Sequence, residues 1–269
     1  VDKGANLEAK DNEGCTSLHR SLHRVAAICG HLAAVQALLD KGANINAQNN
    51  YGWTPLHRAA KEGHAAAIQV LVDNGANIKA KNSWDRTPLH MAAANDHAIT
   101  IQALLDKGAN LEAKDNKGLT PLHLAAANGQ KAAVQALVDK GAKLEAKDNI
   151  YGSTPLHLAA QEGHLAAIQA LLDKGANLEA KDNIYGSTPL HEAARNGQES
   201  AIQSLVAKGA NIEAKTAKGW TPLHLAALNG QAAVIQALLD KGADLEAKDN
   251  FGRKPWDLAT SSTIRRLLQ

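Results

Sequence analysis

Apolar residues in this chain recur in two short helical stretches, joined by polar connectors, again and again. In the segment from Thr54 to Lys81, Leu56, Ala59 and Ala60 share one face by i, i+3, i+4 spacing. The spacing predicts a short helix with Thr54 as N-cap and Pro55 at the first helical position, where no N–H is needed. Gly63 is placed to end it in a left-handed conformation. A second helix is predicted over Ala65 to Asp73, with Ile68, Leu71 and Val72 inward and Gly75 closing it. An extended hairpin with a glycine at its tip then leads into the next unit.

The pattern has a fixed period. Thr-Pro-Leu-His occurs at Thr54, Thr87, Thr120, Thr154, Thr188 and Thr221, in steps of 33, 33, 34, 34 and 33 residues. A weaker copy starts at Thr16, and a degenerate one, Lys254-Pro255-Trp256-Asp257, lies one step downstream of the last. Leu144 to His157 recurs unchanged as Leu178 to His191, as a recent duplication would leave it. The units are read as 11–48, 49–81, 82–114, 115–147, 148–181, 182–215 and 216–248, with residues 1–10 as the tail of a preceding unit and 249–269 as a short C-terminal cap.

The period, Thr-Pro-Leu-His, Leu-Ala-Ala, Gly-His and Lys-Gly-Ala-Asn together resemble the ankyrin repeat, over essentially the whole chain. The resemblance implies an all-α solenoid of stacked helix-turn-helix units with β-hairpin fingers. Fingers and first helices would line a concave face, and second helices the convex back. No such unit buries its apolar face alone, so stability is expected from nearest-neighbour interfaces. The resemblance also implies an intracellular, cytoplasmic protein. Tandem units of this Ala-rich kind are similar to arrays that intracellular bacteria direct at host proteins, so delivery into a host cell is a further expectation.

Two departures stand out. The first unit is five residues too long: Ser17-Leu18-His19-Arg20 is followed directly by Ser21-Leu22-His23-Arg24. A bulged loop before Ser21 is the expected accommodation. In the third unit Asp85 and Asp96 stand where other units have Gly. Asp tolerates left-handed geometry less readily than Gly, and broken local rules are enriched at functional positions.

Composition narrows the function. Apolar residues make up 45% of the 269 but aromatics only 3%, so the core must be built from small side chains. A net charge of +2 supplies no basic stripe for nucleic acid or anionic membrane. No apolar run approaches the roughly 18–20 residues that span a bilayer. The chain opens in mid-motif at Val1 with no signal peptide, so preceding sequence is expected. Two cysteines, Cys15 and Cys29, form no disulfide framework, and Cys15 is expected at the surface. The twelve histidines fall at one or two fixed places per unit, which is not metal-ligand spacing. Those of Thr-Pro-Leu-His are expected to hydrogen-bond neighbouring hairpins. Neither a nucleophile elbow nor a phosphate loop is present. The expectation is therefore no cofactor, no metal and no enzyme activity.

The aromatics are the informative set. Tyr51, Trp53, Trp84, Tyr151, Tyr185, Trp220 and Phe251 all lie in fingers, just before the motif Thr. Trp256 replaces the motif Leu and is expected in the core of the cap. Exposed Trp, Tyr and Arg dominate binding hot spots. Helix-1 positions expected to face the groove also vary, from Arg58-Lys61-Glu62 and Met91-Ala94-Asn95 to Glu192-Arg195-Asn196 and Leu225-Leu228-Asn229. Two contact zones follow: Tyr51, Trp53, Arg58, Trp84, Arg86 and Met91, then Tyr151, Tyr185, Arg195, Trp220 and Leu228. The expected function is that of a monomeric scaffold binding a partner protein. The alternative is an architectural spacer within a larger polypeptide.

Overall fold

The computed structural model describes residues 6–22 and 28–269, and for 28–31 the backbone alone. The side chains of Cys29 and His31, and the second-copy residues His23 and Arg24, lie outside the described residues. First helices of the units are α1 (Ser17–Ser21), α3 (Pro55–Lys61), α5 (Pro88–Ala94), α7 (Pro121–Ala127), α9 (Pro155–Glu162), α11 (Pro189–Arg195), α13 (Pro222–Leu228) and α15 (Pro255–Leu258). Second helices are α2 (Ile28–Asp40), α4 (Ala65–Asp73), α6 (Ala98–Asp106), α8 (Lys131–Asp139), α10 (Leu165–Asp173), α12 (Glu199–Ala207), α14 (Ala232–Asp240) and α16 (Ser262–Leu267). First helices pack on first helices and second on second, so the chain is two parallel rows.

The core is the seam between the rows. The motif leucines (Leu56, Leu89, Leu122, Leu156, Leu190, Leu223) and the Ala pair after each motif His are almost wholly buried. From the second row come Ile68 with Leu71, Ile101 with Leu104, Val134 with Leu137 and their counterparts. Alanine at the first-row contacts lets successive helices approach closely, which is why so few aromatics suffice. One residue breaks the rule. Thr100 is buried at the place of Ala67, Ala133 and Val234, and its Oγ1 has no protein partner. Replacing the orphan hydroxyl by methyl, as T100V, is expected to raise the unfolding free energy in urea by about 1 kcal/mol.

The fingers are not strand pairs: among the described residues there is no β-strand. Each is a tight turn closed on itself, as in Asn49 N–H to Trp53 O (3.0 Å), and it sends one bond to its neighbour, as in Ser83 N–H to Tyr51 O (3.0 Å). One bond per finger is too sparse for a ladder. The turn backbone is satisfied instead by side chains: Asn82 Oδ1 accepts from Trp84 N–H and Arg86 N–H, both at 3.0 Å.

In the first unit the helix begins at the first copy, with Thr16 as N-cap, and not after a bulge before Ser21. Only that copy carries the capping Thr, and its His19 reaches Trp53 O at 2.7 Å. Cys15 is buried, not exposed, because Asn49 of the next finger closes over it, Nδ2 to Sγ 3.5 Å. Asp85 and Asp96 do take left-handed backbone, φ 59° and 61°. Asp96 gains a bond to the next unit, accepting from Ala133 N–H at 2.7 Å, whereas Asp85 has a half-exposed contact with Lys81 at 3.4 Å.

Charged connectors do more than solvate the surface. Lys114, Lys147, Lys181 and Lys215 each donate to a backbone carbonyl one unit on, and Glu112, Glu145, Glu179 and Glu213 each accept a backbone N–H there. In the cap, Trp256 is 39% exposed, and Ala259, Ile264 and Leu268 fill the interior in its place. The Arg265 guanidinium lies over the indole, 5.3 Å from the ring centroid.

Candidate finger and groove interface

Rigid presentation of the fingers starts with the Thr-Pro-Leu-His histidines. In each, Nδ1 accepts the N-cap N–H, as from Thr54 to His57 (3.2 Å). The other nitrogen, Nε2, donates to the carbonyl just before the next motif Thr: His57 to Arg86 (2.9 Å), His90 to Leu119 (3.0 Å), His191 to Trp220 (2.9 Å). Each ring therefore ties its helix to the adjacent finger, as the sequence predicts. Burial disfavours the charged form, and His57, His90 and His191 are lowered to about 4. Among the described residues no group of three His, Cys, Asp or Glu is placed to hold a metal ion.

Four residues of the first predicted zone meet around one cleft. Tyr51 and Trp84, 50% and 43% exposed, stack across adjacent fingers with centroids 6.2 Å apart and planes 14° from parallel. Trp53 lies deeper, with the Arg58 guanidinium 5.2 Å and the Lys61 ammonium 5.3 Å from its ring centroid. With Glu13 and Asn49 these residues line a cleft of about 340 Å³. Arg86 is turned away, its Nε on Asp115 Oδ2 at 3.2 Å. Met91 is buried, because its helix position points into the stack.

The second zone is only partly assembled. Tyr151 and Tyr185 pair at 6.2 Å, and Arg195 covers Tyr185 at 5.2 Å. They line a cleft of about 230 Å³ together with Gln161, Asp182, Glu192 and Asn196. Trp220 and Leu228 are not among its walls. Trp220 is half-buried, Nε1 donating to Asp249 Oδ2 at 3.0 Å, and Leu228 is half-buried at the end of α13.

The groove-facing triplets need correcting at their first position. Arg58, Met91, Leu124, Glu192 and Leu225 are buried and Leu158 is half-buried, so the second and third members form most of the groove surface, and Arg58 and Glu192 reach it only as walls of the two clefts. At Glu192 burial raises the carboxyl pKa against the pull of Arg195, 3.3 Å away. Among the exposed apolar residues that went unread in the sequence, Ile150 and Ile184 lie beside the paired tyrosines. The available signal was the one-residue excess of those two fingers, which makes the 34-residue steps. A larger recess of about 430 Å³ between connectors, lined by Asn46, Gln48, Asn77 and Lys79, is polar and carries no aromatic side chain.

This repeating architecture matches the family model for ankyrin repeats (3 copies) over residues 1–82, 78–148, 116–182, 145–216, 182–249 and 200–268. The chain belongs to the ankyrin repeat family. Among solved structures it is similar to the human ASB11 ankyrin repeat domain, at 30% identity and TM-score 0.70, covering 80% of this chain and 96% of that one. It is also similar to the ankyrin repeat domain of Bcl-3, a member of the IkappaB protein family, at 31% identity and TM-score 0.69, covering 81% of this chain and 98% of that one. No curated protein matches the sequence. Ankyrin repeat domains generally mediate protein–protein interaction. No helix among the described residues of this ankyrin array is long and apolar enough to cross a membrane.

Proposed function

We propose that this ankyrin array is a non-enzymatic scaffold that binds a partner protein, as a monomer and inside a cell, through its fingers and first-helix groove. The observation that carries this reading is the stacked, exposed Tyr51–Trp84 pair. It sits over a cationic, aromatic cleft on fingers that the histidine bonds hold in place. Large rings fixed in advance lose little entropy on binding and supply hot-spot area. Tyr151, Tyr185 and Arg195 form a second, smaller contact, with Ile150 and Ile184 on its rim.

The test compares the wild-type chain with Y51A/W84A in capture from cell lysate. Both substituted side chains are exposed, so helical circular dichroism is expected to be unchanged. A specific partner is expected to be retained by the wild type and bound at least about tenfold more weakly by the variant. Equal recovery by both would remove the first cleft from the interface. Recovery of no specific partner would favour the spacer reading.

A further inference from the structure

Three finger turns use their Asp or Asn side chain twice. One oxygen closes the turn, and the second atom meets the residue that precedes the motif Thr one unit earlier. Asn49 Nδ2 meets Cys15 Sγ, Asp115 Oδ2 accepts from Arg86 Nε, and Asp249 Oδ2 accepts from Trp220 Nε1. Trp53 and Asn82 occupy the same two places as Trp220 and Asp249. At residue 82 the side chain is Asn, whose Nδ2 is a donor where Asp249 offers an acceptor. The amide cannot turn over to correct this, because its Oδ1 already holds the Trp84 and Arg86 N–H groups. Trp53 Nε1 and Asn82 Nδ2 are accordingly both buried without a protein acceptor. Arg58, 7% exposed and stacked on Trp53, adds a third buried donor, Nε, in the same state.

We infer that the Trp53–Arg58 cleft is a receptor for a carboxylate side chain, an Asp or Glu of the partner protein. The inference rests on the finger cleft being the partner-binding surface, and deepens that reading. Buried donors without an acceptor are costly, and a charged acceptor recovers the most. Trp53 and Arg58 line the cleft, and their buried nitrogens would have to turn toward it to meet an entering carboxylate. Lys61 adds a second cation there. The opposing charges are Glu13 at the rim and Glu62, whose carboxylate is 3.7 Å from an Arg58 nitrogen, beyond hydrogen-bond distance. Tyr51 and Trp84 form the apolar wall against which residues flanking the acid would pack.

The probes are two blocked peptides, acetyl-Leu-Glu-Leu-amide and acetyl-Leu-Gln-Leu-amide, titrated into nitrogen-15-labelled full chain. The readout is the indole N–H resonances of the four tryptophans. The Glu peptide is expected to shift the Trp53 indole and to bind at least tenfold more tightly than the Gln peptide. N82D installs the acceptor found at Asp249 and is expected to remove that advantage while raising the melting temperature. W53F deletes one donor and is expected to weaken the Glu peptide severalfold; it decides the matter if N82D does not fold. Equal binding of the two peptides, no binding of either, a shift confined to other indoles, or undiminished Glu-peptide affinity in N82D would each overturn the inference. A partner lost by Y51A/W84A but retained by N82D would sink this inference and leave the groove reading standing.

Discussion

Acidification below pH 6.5 is expected to destabilise the chain steeply, with most of the loss complete by pH 4. His57, His90 and His191 have an ordinary value of 6.5 when unfolded and about 4 when folded. Desolvation is the main cause, since the rings lie wholly inside the stack. Above pH 6.5 these rings are neutral in both states, and their stability contribution does not change. Between 6.5 and 4 the unfolded chain binds protons that the folded chain refuses, so unfolding gains. Each ring is worth about 3 kcal/mol over that interval, and the three together on the order of 10 kcal/mol. His19, His123, His157 and His224 are lowered as well, also chiefly by burial, and add in the same direction. Urea denaturation at pH 7.5, 6, 5 and 4.5 would show the midpoint falling across the series. A midpoint unchanged to pH 4.5 would mean the rings accept protons in place, against the bonding seen here.

The second large effect is expected at Leu137. It is completely buried in α8, which packs on α6 and α10. Truncation to Ala removes buried methyl groups and leaves a cavity, at a cost of about 2–5 kcal/mol. In a stack the loss falls on one pair of interfaces, because coupling runs only between neighbours. L137A is therefore expected to lower stability and also to separate the array into two unfolding blocks. Hydrogen exchange in α3 to α6 and in α11 to α14 would then follow different denaturant midpoints. The first cleft lies in one block and the tyrosine pair in the other. A partner that needs both would lose affinity in mild denaturant before either half unfolds. A single transition shifted as a whole would show that coupling extends further than adjacent units.

The helices were legible because their signals are local. Thr-Pro at each start and apolar spacing through each body require only residues within one unit, and they mark α3 to α14 closely. The role of the histidines was legible too, since a fixed place in a fixed period implies a fixed contact with the next copy. The fingers were read as hairpins because glycine-tipped turns usually join strands. The turns here are satisfied by Asx side chains and by single bonds to the next unit, and no ladder is needed.

By itself, then, the sequence determined the period, the helical rows, the small-residue core and the placing of most aromatics on the fingers. All of these follow from repetition and spacing along one strand of chain. Only the tertiary structure decided that Arg58, Met91 and Glu192 are buried, that Tyr51 finds Trp84 while Trp220 finds Asp249, and that Trp256 lies open. Those outcomes depend on which atoms the neighbouring unit brings to each side chain. A single change there, Asn82 where another unit has Asp, leaves Trp53 Nε1 and Asn82 Nδ2 without an acceptor, beside the cleft that Trp53 and Arg58 line.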